Sequence, residues 1–122
     1  MLVTFTVPGP VCTLHRPRVG VRGGKVRTHM VPVYTAYKTL CGWHALAARP
    51  SDWPLDARYA VRVTVHEQDR RSRDLDNAAK GALDGMTRVL WSDDSRVDDL
   101  RITRGEVWRT APCVIVSVSV LE

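Results

Sequence analysis

The chain has 122 residues, a formal net charge of +5 and a hydrophobic fraction of 44%, which is typical of one soluble globular domain spanning residues 1–122. No apolar run approaches the roughly 20 residues that cross a bilayer, so we expect no membrane contact. Its cysteines, Cys12, Cys41 and Cys113, are odd in number and do not form a disulfide framework, which favours a reduced cytoplasmic protein.

The N-terminal half begins with a predicted strand and continues into a basic segment and a helix. Residues 2–7 alternate with the two-residue period of a strand. Residues 10–27 are rich in Gly, Pro and Arg and predict a loop or hairpin that turns at Gly23-Gly24. Residues 32–48 predict a helix that starts at a proline. Its expected inward face consists of Val33, Tyr37, Leu40, His44 and Ala47.

The C-terminal half predicts three further strands and a second helix. Residues 58–66 alternate like a half-buried strand, and a charged connection leads to a helix over residues 77–90. The expected core stripe of this helix is Ala79, Leu83, Met86 and Leu90. One strand is expected around Leu100 and Ile102 and another over residues 113–121. The order β-α-β-α-β-β predicts a single layered α+β domain with one mixed sheet and two helices.

Charge is unevenly distributed along the chain. Residues 1–66 carry 9 Lys and Arg against 2 acids, whereas residues 67–122 carry 9 against 11. Nine of the 13 acids lie between Glu67 and Asp99. A basic half beside a confined acidic cluster suits a polyanionic partner and a cation-binding centre.

The acidic cluster surrounds the second predicted helix. Asp74 and Asp76 precede it, and Asp93 and Asp94 follow it. If the chain folds back after the helix, one of the later acids meets the earlier pair. Carboxylates that share so small a space repel one another unless a divalent cation neutralises them, and all-oxygen ligation selects Mg²⁺ or Mn²⁺.

Ordinary explanations exist for parts of this cluster. Asp76 alone can act as a helix N-cap, and Asp76, Lys80 and Asp84 can form an exposed ladder of ion pairs. A carboxylate-bound cation in a basic protein indicates phosphate chemistry, in which Lys80 would stabilise charge on a phosphodiester. Composition and spacing leave hydrolysis and simple binding both open.

A longer pattern carries a family resemblance. Residues 69–102 read DRRSRDLDNAAKGALDGMTRVLWSDDSRVDDLRI. This segment resembles the signature of the RusA family of Holliday junction resolvases: a basic run, R-D-L-D-N, a lysine three residues after that asparagine, a short helix, an aromatic residue and a D-D pair. The segments TVPGP and VRTHMVPVYTAY of the N-terminal half resemble the family more loosely.

The resemblance implies a RusA-like fold and a homodimeric, Mg²⁺-dependent endodeoxyribonuclease. Such an enzyme would resolve four-way DNA junctions by paired incisions in recombination and repair, in the cytoplasm of a bacterial or phage-infected cell. Asp74, Asp76 and Asp94 match the metal-binding catalytic acids, Lys80 matches the essential lysine, and Asp93 is a second-ranked ligand. The residues expected to contact DNA are Arg16, Arg18, Arg22, Lys25, Arg27, Arg70, Arg71 and Arg73.

Three other functions fit parts of the sequence. A non-catalytic module could hold junctions without cutting them, and a nuclease of this type could act on flaps or forks. Cys12-x-x-His15 and Cys41-x-x-His44 imitate a zinc site. For the second of these pairs we expect a buried thiol and a partly exposed histidine instead, because both residues lie on the first predicted helix.

Overall fold

The computed structural model describes residues 1–11, 18–22, 25–29, 32–71 and 73–121. The described elements, in chain order, are β1 (Leu2–Pro8), β2 (Arg18–Arg22), β3 (Lys25–His29), α1 (Pro32–Ala48), β4 (Arg58–His66), α2 (Leu75–Met86), a short 3-10 helix (Asp94–Arg96), β5 (Val97–Arg104) and β6 (Cys113–Leu121). Among these residues no helix is both long enough and apolar enough to cross a membrane. The predicted α+β arrangement, with one mixed sheet and two helices, is confirmed.

Four strands form the sheet in the order β1-β6-β4-β5. The β1–β6 and β6–β4 pairs are antiparallel, and β4–β5 is parallel. Alternate residues of three strands are buried: Val3, Phe5 and Val7; Val61, Val63 and Val65; and Val114, Val116 and Val118. These β-branched and aromatic side chains suit a pleated, half-buried surface. The helices cover this face, with α1 packed on β1 and on α2, and α2 packed on β4 and β5.

The parallel pairing of β4 and β5 determines where α2 lies. Two parallel strands require a crossover, because the chain must return from the end of one strand to the beginning of the next. Helix α2 makes this return, so it begins at the sheet edge where β4 ends and finishes at the edge where β5 begins. The residues before α2 and those after it therefore lie at opposite edges of the sheet.

The bounds of α1 agree with the prediction, and Tyr37 is buried as predicted, but the predicted inward face as a whole is rotated from the observed one. The buried residues are Tyr34, Tyr37, Cys41 and Ala45, whereas Val33 is 65% exposed. The hydroxyl of Tyr34 donates a hydrogen bond to Asp84 of α2 at 2.6 Å, so this amphipathic ring can be buried. The observed inward face therefore contains Tyr34 in place of the predicted Val33.

Helix α2 spans Leu75–Met86 rather than the predicted 77–90. Its C-cap Thr87 has an extended ψ of 132°, which ends the helix, and Arg88 beyond it adopts a positive φ of 73°. Leu90 is nevertheless fully buried, because the turn after α2 packs on the same core. The helical spacing of apolar residues in the sequence therefore continues past the last residue of α2.

The basic segment before α1 contains the expected hairpin. Strands β2 and β3 pair in antiparallel register from Arg18↔His29 to Arg22↔Lys25. The predicted turn residues, Gly23 and Gly24, lie outside the described residues. The hairpin forms its own two-stranded sheet.

Replacing Gly85 with alanine should destabilise the fold. A Cβ at this position would lie 2.5 Å from the carbonyl oxygen of Lys38 and 2.9 Å from Cβ of Cys41, so the two helices would have to separate. Overpacking of this kind costs about 1–3 kcal/mol, whereas an unhindered Gly-to-Ala change in a helix is stabilising. Thermal melting of Gly85→Ala, with the exposed Thr39→Ala as control, tests this. An unchanged or raised Tm would contradict the packing.

Candidate active site

The N-terminal end of α2 presents two carboxylates to solvent. Asp74 is the N-cap residue, but its side chain makes no capping hydrogen bond. Asp76 lies in the first turn, and both residues are exposed. Within the described residues, no hydrogen bond or ion pair engages either carboxylate. N-cap carboxylates usually accept a backbone N–H, so the oxygens of Asp74 remain available to an external cation.

Ion pairs to the buried Glu67 fix the residue that precedes Asp74. Glu67, which directly follows β4, is 3% exposed. Its carboxylate contacts Nη1 of Arg73 at 3.3 Å and Nε of Arg104 at 3.4 Å. Arg104 also donates a hydrogen bond to the carbonyl of Arg73. Side chains from the ends of β4 and β5 therefore hold the peptide that leads into Asp74.

Arg73 has a further partner in Asp69. Nη1 of Arg73 lies 2.8 Å from Oδ1 of Asp69, and this hydrogen bond is the main reason that the pKa of Asp69 is lowered. The side chain of Arg73 is 17% exposed. Arg73 was predicted to contact DNA, and the structure commits its guanidinium to Glu67 and Asp69. Its neighbours Arg70 and Arg71 are exposed.

Lys80 lies one turn further along α2 from Asp76 but pairs with Asp84 instead. The distance from its Nζ to Oδ1 of Asp84 is 3.4 Å, and its side chain is 46% exposed. Tyr34 donates to the other carboxylate oxygen of Asp84. Of the two ion pairs expected for Asp76, Lys80 and Asp84, only the Lys80–Asp84 pair is thus present among the described residues. Asp84 and Tyr34 together orient the ammonium group.

Asp94 lies at the opposite end of α2. The hydroxyl of Thr87 donates to Oδ1 of Asp94 at 2.7 Å and accepts from Nε1 of Trp91 at 3.2 Å. Trp91 is 1% exposed, so this hydrogen bond is anchored to the core. Asp94 and Lys80 line a common cavity of about 180 Å³.

The carboxylate of Asp93 is hydrogen-bonded within the short 3-10 helix that follows it. Its carboxylate accepts hydrogen bonds from the hydroxyl and the backbone N–H of Ser95, the latter at 3.0 Å. The hydroxyl hydrogen bond is the main cause of a lowered pKa for Asp93. Of the adjacent acids, Asp93 caps the 3-10 helix, whereas Asp94 faces the cavity that contains Lys80.

The predicted convergence of the acids does not occur within one chain. Asp76 and Thr87 are separated by about 16 Å along the axis of α2, at 1.5 Å per residue, and Thr87 holds Asp94. Among the described residues, no three His, Cys, Asp or Glu side chains form a group that could hold a metal ion. The expectation that the chain folds back to the start of the helix is therefore wrong. The parallel β4–β5 pairing keeps the two acidic groups at opposite edges.

Other predicted site residues lie in the hairpin and near the cysteines. Arg18, Arg22, Lys25 and Arg27 occupy alternate positions on β2 and β3. Arg16, Cys12 and His15 lie outside the described residues. Cys41 is fully buried and packs against the backbone of Gly85, and His44 is partly exposed.

The sequence interpretation missed the roles of Glu67, Arg104, Tyr34 and Thr87. One signal was available for the first of these, because Glu67 continues a strand whose last residues are apolar or buried. The other contacts depend on packing between elements that are distant in sequence, which spacing alone does not reveal.

Comparison with known proteins identifies the family. The profile of the family described as Endodeoxyribonuclease RusA matches residues 8–119. The crossover junction endodeoxyribonuclease of Enterobacteria phage 82 is 32% identical over 84 residues, which cover 68% of this chain and 69% of the relative. The chain belongs to the RusA family of endodeoxyribonucleases.

Bacterial relatives match a shorter segment. The crossover junction endodeoxyribonucleases RusA of Escherichia coli K12 and of Shigella sonnei are each 44% identical over 45 residues. These 45 residues cover 36% of this chain and 38% of each relative. The match therefore spans less than half the length of these bacterial proteins.

Replacing Glu67 with glutamine should destabilise the protein. The change removes the negative charge that faces Arg73 and Arg104 in a buried position, while the side-chain shape is retained. Leaving such groups without a charged partner costs about 1–3 kcal/mol. Urea unfolding measures the loss. Asp98→Asn is the matched control, because it removes an exposed ion pair with Arg58, which should change stability far less. Equal losses in the two variants would contradict the role of Glu67.

Proposed function

We propose that this protein is a Mg²⁺-dependent endodeoxyribonuclease that resolves four-way DNA junctions in recombination and repair. The observation that carries the proposal is the pair of exposed carboxylates, Asp74 and Asp76, at a helix start braced by buried ion pairs. Membership of the RusA family supports the reaction class. The phage 82 relative, named a crossover junction endodeoxyribonuclease, supports the four-way junction as substrate.

The proposed ligands fit a hard cation. Asp74 and Asp76 offer carboxylate oxygens, which Mg²⁺ and Mn²⁺ prefer over softer donors. Their side chains need not break an existing interaction with a described residue in order to bind an ion. A bound Mg²⁺ would lower the pKa of a water molecule and stabilise charge on the phosphodiester.

Lys80 is proposed to place a positive charge beside the scissile phosphate. Asp84 orients the ammonium group without burying it, since the lysine side chain is 46% exposed. Tyr34 in turn fixes Asp84 from α1. A preorganised cation of this kind stabilises charge that develops in the transition state.

A two-fold dimer would supply the carboxylate that a single chain lacks at this edge. Asp94 is held at the far end of α2 by Thr87. A two-fold axis across α2 reverses one helix relative to the other. In such a dimer, Asp94 of one protomer approaches Asp74 and Asp76 of its partner. The dimer would also present two equivalent sites to the two strands of a junction that is itself nearly two-fold symmetric.

Basic residues would provide phosphate contacts that do not depend on sequence. Arg70 and Arg71 are exposed directly before the braced segment. Arg18, Arg22, Lys25 and Arg27 add positive charge along the hairpin. Contacts of this type dominate affinity and weaken with salt. They lie outside the carboxylate pair, so binding and cutting should be separable by mutation.

Asp74→Asn and Asp76→Asn should each lower junction cleavage at least about 100-fold, the range expected when a charge-stabilising group is lost. Junction affinity without divalent cations should stay within about threefold, because phosphate contacts dominate it. Gel assays on a synthetic four-way junction, a flap, a fork and a plain duplex, with and without Mg²⁺, measure both quantities. Asp98→Asn is the control for lost surface charge. Cleavage at the wild-type rate in either variant would exclude the assigned ligand.

Mixing two inactive variants tests whether the site is shared between protomers. Random exchange of Asp74→Asn and Asp94→Asn subunits makes about half of the dimers mixed. Each mixed dimer has one intact site if the carboxylates come from different chains, and none if they come from the same chain. We expect nicking of the junction to return in the mixture without efficient paired incision. A mixture as inactive as its components would place the whole site in one protomer.

A further inference from the structure

An aromatic surface lies on the face of the sheet that the helices leave open, and it has no role in the contacts described above. Trp108, in the segment between β5 and β6, stacks on His66 with ring centroids 3.5 Å apart and an interplanar angle of 4°. His66 is 8% exposed, whereas Trp108 is 38% exposed. One face of the indole is therefore covered by the imidazole, and a substantial part of the ring remains open to solvent.

The position of Trp108 is fixed by several short contacts. Its backbone N–H donates to the carbonyl of Glu67 at 2.9 Å. Nδ1 of His66 lies 2.8 Å from the carbonyl of Glu106 and donates to it. Gly105 allows the backbone to pass close to the ring of His66, because a Cβ at residue 105 would clash with Cε1 of His66. Because the ring is held in place before any ligand arrives, little conformational entropy would be lost on binding.

The exposed part of Trp108 forms a wall of a cavity of about 460 Å³. The lining is mainly apolar and includes Pro8, Pro10 and Pro112, with Thr6 and Thr110 as hydrogen-bonding groups. This volume lies within the range of pockets that bind small organic groups. A flat aromatic ring with rigid proline neighbours and few polar groups suits a planar heterocycle.

The cavity lies at the end of the sheet where α2 begins, but on the face that the helices leave open, because Thr6 and Pro8 alternate with the buried Phe5 and Val7. Strands β1, β4 and β5 end at this edge, and β6 begins there. Glu67, whose carbonyl holds Trp108, also binds the side chain of Arg73 next to Asp74. Arg109 is exposed beside Trp108. An exposed aromatic ring with an arginine next to it in sequence is a combination that binds single-stranded nucleic acid, with the base stacked and a phosphate neutralised.

We propose that Trp108 stacks on an unpaired nucleobase at the branch point of the DNA substrate. Bases inside a duplex already stack on both neighbours, so a protein ring can contact one only where stacking is interrupted. A branch point supplies that interruption, and plain duplex does not. The contact would favour branched DNA over duplex. The inference rests on the proposed function for its substrate class.

The test uses full-length protein without divalent cations and a four-way junction carrying 2-aminopurine at the branch point. Trp108→Leu keeps an apolar side chain but removes the ring, and Trp108→Phe keeps an aromatic face. Trp43→Leu, which changes a tryptophan that is 68% exposed on α1, is the matched control. Junction affinity and 2-aminopurine fluorescence are measured for each variant, and affinity for plain duplex is measured in parallel.

We expect Trp108→Leu to weaken junction binding about 5- to 100-fold, the loss typical of one base–aromatic stack. Trp108→Phe should retain most of the affinity, and Trp43→Leu should bind like wild type. Duplex affinity should be unchanged in all three. The fluorescence change on binding should persist with Trp108→Phe and disappear with Trp108→Leu.

Three outcomes would overturn the inference. The first is an unchanged junction affinity in Trp108→Leu. The second is an equal loss of junction affinity and duplex affinity in that variant. The third is the same fluorescence change for the leucine and phenylalanine variants. Cleavage with Mg²⁺ separates this inference from the proposed function. If the protein cleaves the junction but the Trp108 variants behave like wild type, the proposed nuclease function is supported and the base contact is contradicted. If the fluorescence change depends on Trp108 but no cleavage occurs, the base contact is supported and the nuclease function is contradicted.

Discussion

The parallel pairing of β4 with β5 is the constraint on which the rest of the structure depends. It requires a crossover, and α2 provides the crossover along the full length of the strands. The helix thereby separates two acidic groups that the sequence places close together. Asp74 and Asp76 lie where β4 ends, and Asp94 lies where β5 begins.

Each end of α2 is then fixed by a different kind of contact. At the N-terminal end, Glu67 joins Arg73 and Arg104, so a buried charge network holds the peptide that precedes Asp74. At the C-terminal end, aromatic packing dominates, and Trp53 donates from Nε1 to the carbonyl of Leu90 at 2.8 Å. Breaking a buried charge network by removing one partner is costly. These contacts limit the movement of both acidic groups, so a complete metal site would require a second protomer more readily than a refolded helix.

The sequence was sufficient to predict most of the fold, because strand alternation and helical periodicity are local signals. It placed the four sheet strands, both helices and the basic hairpin. The predicted inner face of α1 differs from the observed one, because Tyr34 is buried through its hydrogen bond to Asp84. The predicted end of α2 at Leu90 lies beyond the observed end, because the buried turn after the helix continues the apolar pattern. The family signature led to Asp74, Asp76, Lys80 and Asp94. It could not place them in space, since their separation depends on strand pairing that no short motif encodes.

We propose that carboxylates from the two ends of α2 meet at one metal ion across a dimer. Anomalous diffraction from crystals grown with Mn²⁺ shows directly where such an ion binds. We expect an anomalous peak bound by Asp74 and Asp76 of one protomer and by Asp94 of its partner. A peak bound within one protomer at the Asp94 and Lys80 cavity, or none at Asp74 and Asp76 at saturating Mn²⁺, would contradict it.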